Sequence, residues 1–243
     1  MSTSTRRDFI GPILLAIFAY LASMLTRAFQ RSIEQAAIAK AAERKESLKY
    51  NITDGLIKND NEIRDKLQDE SIWQECASKD PVWWNGKAPK NIWEEIVSII
   101  WEKHDDIIDS AAGFEYWCDI VGDKESIGWH IDKDIYEFEK NDVLVTPLRS
   151  AVYYGYNHFF DSPGGYLYLV DGDYTQNPHD YDVLRRDEIV AITAEHNRAV
   201  YFNSSKWHKV SPMRGSGKRF SFSVNAYTTK PKILKRHGHI EKS

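Results

Sequence analysis

Ile127-Gly128-Trp129-His130-Ile131-Asp132-Lys133-Asp134 sets an imidazole and a carboxylate two residues apart. Side chains alternate faces along an extended strand, so His130 and Asp132 share one face while Trp129 and Ile131 share the other. An imidazole and a carboxylate therefore converge. They are two of the three ligands that a divalent first-row metal takes in a two-histidine, one-carboxylate site. A second histidine has to come from elsewhere in the chain.

The same spacing occurs at His104-Asp105-Asp106, but there it follows Asn91-Ile92-Trp93-Glu94, an Asn cap with Glu three residues on. Apolar Ile92, Ile96, Ile99, Ile100 and Ile107 recur at helical spacing, and on a helix residues i and i+2 do not face each other. His104 and Asp106 thus read as a solvated helix face. His158, His179 and His196 lie in turn-like or polar surroundings and read as exposed. The remaining candidate is His208, in Ser205-Lys206-Trp207-His208-Lys209-Val210-Ser211-Pro212, where a strand puts His208 and Val210 on one face and Pro212 helps end it.

Beyond residue 111 the chain breaks into short β-rich runs separated by turns, the pattern of an antiparallel sandwich or barrel. Strands are expected near 113–120, 126–132, 144–156, 164–170, 188–193, 198–203, 207–210 and 219–228. Asn197 is expected in a left-handed turn. In Lys218-Arg219-Phe220-Ser221-Phe222-Ser223-Val224-Asn225 the alternation is strict. Arg219, Ser221, Ser223 and Asn225 share a hydrogen-bonding face, and Phe220, Phe222 and Val224 share an apolar one. If the polar face looks into the barrel, Arg219 is a buried cation in need of a carboxylate, which its planar fork grips with two bonds. If that face looks to water, the strand is half-buried.

His130-x-Asp132, Val152-Tyr153-Tyr154, Gly164-Gly165, His208-x-Val210-x-Pro212 and Arg219-x-Ser221, in that order, resemble the Fe(II)- and 2-oxoglutarate-dependent dioxygenases, particularly the prolyl 4-hydroxylase type. The resemblance covers roughly residues 112–229. It implies a double-stranded β-helix (jelly roll), here mainly β with N-terminal helices, in an α+β arrangement. It implies His130, Asp132 and His208 as iron ligands and Arg219 as the anchor of the distal carboxylate of 2-oxoglutarate. Tyr154 and Ser221 are implied as further partners of that carboxylate, and Gly164 and Gly165 as a close backbone turn.

The implied activity is hydroxylation of a peptidyl residue such as proline, coupled to decarboxylation of 2-oxoglutarate to succinate. Dioxygen is the oxidant, and ascorbate is expected as reductant. Gly155 stands where such hydroxylases usually have leucine, Glu195-His196-Asn197 replaces a Pro-x-x-Gly-like turn, and Arg219 stands where the collagen-type enzymes use lysine. These departures bear on the substrate. A small-molecule hydroxylase and a metal-free jelly-roll binding module are the alternatives.

Residues 9–25 are uncharged and almost wholly apolar, with Arg6 and Arg7 before them and Arg27 and Arg31 after. They read as a single membrane anchor placing the chain at an endomembrane, with no orientation preferred. Thr5-Arg6-Arg7-Asp8-Phe9 gives a twin-arginine export signal as one alternative, and a buried helix is the other. The expected organisation is an anchor or signal over 1–32, a helical stalk and support over 33–110, the jelly roll over 111–230 and a solvated basic tail over 231–243. Trp83 and Trp84 are expected to pack against the domain.

Thirty-two Lys and Arg against 36 Asp and Glu give a net charge of -4 and no electrostatic case for nucleic acid. Two cysteines, Cys76 and Cys118, exclude a disulfide-dense scaffold and a cysteine-based zinc site but leave a single bridge open. The loops 133–147 and 172–187 are expected to select the substrate.

Overall fold

The computed structural model describes residues 23–33, 35, 48, 50–58, 60–156, 164–172, 175, 177, 188–214, 217–238 and 240–242. The chain divides into two units, Met1–Ser47 and Leu48–Ser243. In the first, residues 23–33 form helix α1.

The second unit runs in the order β1 (Asn51–Asp54), α2 (Asn61–Lys66), α3 (Glu70–Ala77), β2 (Val82–Trp84), α4 (Ile92–Trp101), α5 (Asp105–Ser110), β3 (Gly113–Val121) and β4 (Glu125–His130). It continues with α6 (Ile135–Asn141), β5 (Arg149–Tyr154), β6 (Leu167–Leu169), β7 (Val190–Ile192), β8 (Arg198–Phe202), β9 (His208–Val210), β10 (Arg219–Tyr227) and β11 (Ile240–Lys242). One sheet has the order β1-β8-β5-β10-β3-β2 and the other β11-β4-β9-β6-β7, with all ladders antiparallel. From β3 to β10 the chain steps back and forth between the sheets, which is the winding of a jelly roll. Every expected strand is present.

The alternation along β10 sorts the layers. Phe220, Phe222 and Val224 leave the barrel and meet α3 and α4, with Trp73 against Phe220 at 6.0 Å and Trp93 against Phe222 at 5.0 Å between ring centroids. Asn91 caps α4, its Oδ1 accepting from Trp93 N and Glu94 N at 2.9 and 3.0 Å, as its place in the sequence predicts. Arg219, Ser221, Ser223 and Asn225 turn inward, so the polar face of β10 looks into the barrel. Two apolar clusters flank that interior. Tyr154, Leu167, Leu169, Ile192, Val200 and Phe202 form one, and Val121, Ile127, Val210 and Met213 the other.

Asn197 adopts the expected left-handed backbone, with φ of 59°. Its buried side chain accepts from Ile57 N at 2.9 Å and from the Tyr153 hydroxyl at 3.0 Å, and donates to Ile57 O at 3.0 Å. The turn before β8 is thereby tied to the segment after β1. Cys76 and Cys118 form a disulfide, with Cα atoms 5.5 Å apart, that fastens α3 to β3. It closes a sequence separation of 42 residues, so replacing both cysteines by serine is expected to cost about 4 kcal/mol by loop-closure entropy. Urea unfolding of the oxidised parent and the double variant measures this, and a loss below about 1 kcal/mol contradicts it.

Several expectations are corrected. Among the described residues no helix is long and apolar enough to cross a membrane, which overturns the single-pass anchor and the membrane localisation. Residues 9–22 of that stretch, and the twin-arginine pattern, lie outside the described residues. The described part of helix α1, residues 23–33, carries Arg27 and Arg31. The span 133–147 holds α6, started by Asp134, whose carboxylate accepts from Glu137 N at 3.1 Å. The support region supplies two edge strands, β1 and β2, as well as helices. Trp84 packs on Phe114 at 5.7 Å, as expected. His104 is half-buried rather than solvated, because its ring lies 4.5 Å from that of Tyr201. Of the 172–187 loop, only 172, 175 and 177 are described.

The C-terminal stretch expected as a solvated tail runs back over the barrel. Its β11 pairs with β4, Ile240 opposite Ile127 and Lys242 opposite Glu125. The sequence hid this because Lys230 to Arg236 are mostly charged and β11 is only three residues long.

Candidate metal and cosubstrate site

His130 ends β4 and His208 begins β9, and the two strands pair so that these residues stand directly opposite each other. Asp132 lies just past the end of β4, its backbone N–H donating to Ser204 O at 3.0 Å. The register is irregular between Ile127 and His130, so strand alternation alone does not deliver Asp132; the chain's exit from β4 does. One ligand-capable atom from each of the three lies within 4.8 Å of the others.

The tautomers are set by the backbone. His130 Nδ1 is 2.8 Å from Gly128 O and His208 Nδ1 is 3.0 Å from Lys206 O. A carbonyl only accepts, so both Nδ1 atoms carry the proton and both Nε2 atoms present lone pairs. Those Nε2 atoms stand 3.8 and 3.6 Å from Asp132 Oδ1, too far for a hydrogen bond. Asp132 Oδ1 is buried with no hydrogen-bond partner among the described residues, while Ser150 Oγ, whose proton goes to Asn225 Oδ1, stands 3.5 Å from Oδ2. An ionised oxygen and two lone pairs converging in a buried space are costly unless a cation is shared among them, so the donor set fits a divalent metal.

Burial and the neighbouring His208 pull the pKa of His130 down to about 3. Burial opposes ionisation of Asp132, but His237, His208 and His130 hold its carboxyl well below the usual carboxylate range. His130 and Asp132 therefore rest in the charge states a metal needs. Between about pH 6.5 and 3 the unfolded chain takes a proton at His130 that the folded chain refuses, so the metal-free protein loses stability as pH falls through that window. Urea midpoints at pH 7 and 5 are expected to drop further for the parent than for His130→Gln, and equal drops contradict the assignment.

Deeper in the same cavity lie Arg219, Tyr154 and Ser221. Arg219 is fully buried, donating from Nη1 to Gly165 O at 3.2 Å and from Nη2 to Ser221 Oγ at 3.3 Å, with Nε unsatisfied among the described residues. The guanidinium carbon sits 5.9 Å from the centre of the Tyr154 ring, and the buried Tyr154 hydroxyl also has no partner among the described residues. Open donors gathered around a buried cation suit an anion with several acceptor oxygens. Gly164 and Gly165 have φ of 108° and 66°, as the expected turn requires, and a Cβ on Gly165 would stand 2.4 Å from Met213 Sδ and 3.3 Å from Arg219 Cδ. The bare glycine backbone lets its carbonyl reach Arg219.

The structure thus brings together all six residues singled out in the sequence: His130, Asp132, His208, Arg219, Tyr154 and Ser221. It adds others that sequence reasoning passed over. Asp119 lines the cavity, accepting from Trp117 Nε1 at 2.9 Å, and burial raises its pKa while Arg236 and Arg219 oppose the rise. Ser150, Asn225 and His237 line it too. The inward face of β10 was the signal for Asn225; nothing in the sequence marks His237.

No family model matches the chain, and no curated protein matches it by sequence. Among solved structures it is similar to HygX from Streptomyces hygroscopicus with iron bound, at 10% identity and a TM-score of 0.51 over 77% of this chain and 86% of that one. The same protein with nickel and 2-oxoglutarate bound gives a TM-score of 0.50 at 10% identity and the same coverage. A prolyl-4-hydroxylase from Pseudomonas putida is 14% identical over 80% of this chain and 89% of that one, with a TM-score of 0.47. The chain therefore has a double-stranded β-helix fold, shared with a protein crystallised with iron and with 2-oxoglutarate.

Proposed function

We propose that the chain is an Fe(II)- and 2-oxoglutarate-dependent hydroxylase. One observation carries this reading: Asp132 Oδ1 is orphaned between the lone pairs of His130 and His208, in the same buried cavity as Arg219 and the unpartnered Tyr154 hydroxyl. His130, Asp132 and His208 would hold the metal, and Arg219, Tyr154 and Ser221 would hold the distal carboxylate of 2-oxoglutarate. The bound pair would supply the oxidising chemistry, in which dioxygen converts a substrate C–H to C–OH as 2-oxoglutarate is split to succinate and carbon dioxide.

The protein's own part is orientation and exclusion of water. Gly128 O and Lys206 O fix the imidazoles, and Leu167, Val210 and Phe202 supply the dry walls. The finer reading, a peptidyl residue such as proline as substrate, is supported by the resemblance of the motif series to the prolyl 4-hydroxylase type. The test is a panel of proline-containing peptides and free small molecules with Fe(II), 2-oxoglutarate and ascorbate. Equal release of succinate and hydroxylated peptide supports the peptide reading, and coupled turnover confined to free small molecules replaces it.

A further inference from the structure

The C-terminal segment is fastened to the rest of the domain at four places. Near its start, Lys232 N donates to Asp134 Oδ2 at 3.2 Å and Lys232 Nζ pairs with Glu137 at 2.5 Å. Midway, Arg236 Nη2 donates to Ala77 O and, at 2.9 Å, to Lys79 O, at the end of α3. Next, His237 Nε2 meets Glu115 Oε2 at 3.4 Å, its ring 5.7 Å from that of Trp117. Finally β11 pairs with β4, the strand that carries His130.

Between the last two anchors Gly238 lies against the metal-ligand candidate itself. Its φ is 72°, and a Cβ there would stand 2.7 Å from His130 Nδ1 and 2.6 Å from Ile127 Cγ2. The backbone of this segment is therefore the wall against which the His130 ring rests. His237 is 8% exposed and Glu115 only 1%, so the pair is sealed inside the protein rather than resting on its surface.

Glu115 also ends a polar row across three strands. It faces Asn225 in the β3–β10 ladder, Asn225 faces Ser150 in the β10–β5 ladder, Ser150 donates to Asn225 Oδ1, and the same Oγ stands 3.5 Å from Asp132 Oδ2. One end of the row is the carboxylate of the triad and the other is the C-terminal segment.

We propose that His237 is a positioning residue of the metal site: paired with Glu115, it docks the C-terminal segment so that Gly238 buttresses His130. The pair touches no reacting atom. It acts through the ligands, as hydrogen-bonding partners outside a metal's coordination sphere do. The inference rests on the metal-site reading above.

Co(II) alone is the probe, read by its visible d–d absorption and its dissociation constant. His237→Leu keeps the bulk and loses the bond to Glu115, whereas His237→Gln keeps an N–H donor. His237→Leu is expected to weaken Co(II) binding by about 10–100-fold and shift the d–d bands, and His237→Gln to restore most of both. Lys235→Ala, an exposed neighbour on the same segment, is expected to match the parent. Trypsin gives a readout without metal, since undocking exposes the bonds after Lys235 and Arg236 to faster cleavage in His237→Leu. If His237→Leu does not fold, Glu115→Leu, which removes the acceptor, carries the same comparison. A folded His237→Leu with parental affinity, spectrum and trypsin resistance overturns the inference alone. A parent that binds no Co(II) overturns the metal-site reading, and the inference with it.

Discussion

His208→Ala is expected to abolish Fe(II) uptake and with it all 2-oxoglutarate turnover, while the jelly roll stays folded. His208 is one of two imidazole donors, and its Nε2 lone pair is aimed at a space that Asp132 Oδ1 also faces. Loss of an outer partner of a metal ligand costs about 10–100-fold in affinity or activity, and loss of a ligand exceeds that. The fold survives because Leu167, Leu169 and Val200 in one cluster and Val121, Ile127 and Met213 in the other are untouched. His130→Ala and Asp132→Ala are expected to behave alike, because all three donors meet at one point. Equilibrium dialysis with Fe(II) under argon, beside thermal unfolding of the same samples, checks it. Retained stoichiometric Fe(II) in a folded His208→Ala sinks the assignment of this histidine.

Arg219→Ala carries the second large effect, and it separates cosubstrate binding from metal binding. The guanidinium is fully buried, so a distal carboxylate loses a desolvated partner, a loss of roughly 2–5 kcal/mol or about 30- to 5000-fold in affinity. Asp119 loses a neighbouring positive charge at the same time, which lowers stability as well. Fe(II) affinity is expected to stay near that of the parent, since Arg219 contacts Gly165 and Ser221 rather than the triad.

The sharpest readout is cosubstrate preference. The parent is expected to favour 2-oxoglutarate over 2-oxobutyrate, which lacks the second carboxylate, and Arg219→Ala to lose that preference. Arg219→Lys keeps the charge without the planar fork and falls between. Preference unchanged in Arg219→Ala places the distal carboxylate elsewhere.

What the sequence made legible was whatever depends on period and order. The eight expected strands formed because turn signals and two-residue alternation are local properties, and the polar face of β10 proved to be the cavity wall. The six candidate residues were picked out by the resemblance of the motif series, and each sits on, or shortly after, one of those strands. What stayed hidden depends on pairing at a distance. Strands β1, β2 and β11 are short edge strands defined by their partners rather than by pattern. Helix α6 spans one and a half to two turns with no buried residue, so it has no apolar stripe to read. His237 looks like part of a basic tail until Glu115, 122 residues away in the chain, is found beside it. The anchor reading failed in the opposite way, since apolar composition was taken for a membrane span and no described helix supports it.

The most direct measurement is an anaerobic titration of residues 48–243, purified free of metal, with Fe(II) and then 2-oxoglutarate, watching for the visible metal-to-ligand charge-transfer band of the chelate. A band is expected that saturates at one equivalent of each, is absent in His208→Ala, and in Arg219→Ala needs far more 2-oxoglutarate to appear. Well-folded protein that forms no band with excess Fe(II) and 2-oxoglutarate would contradict it.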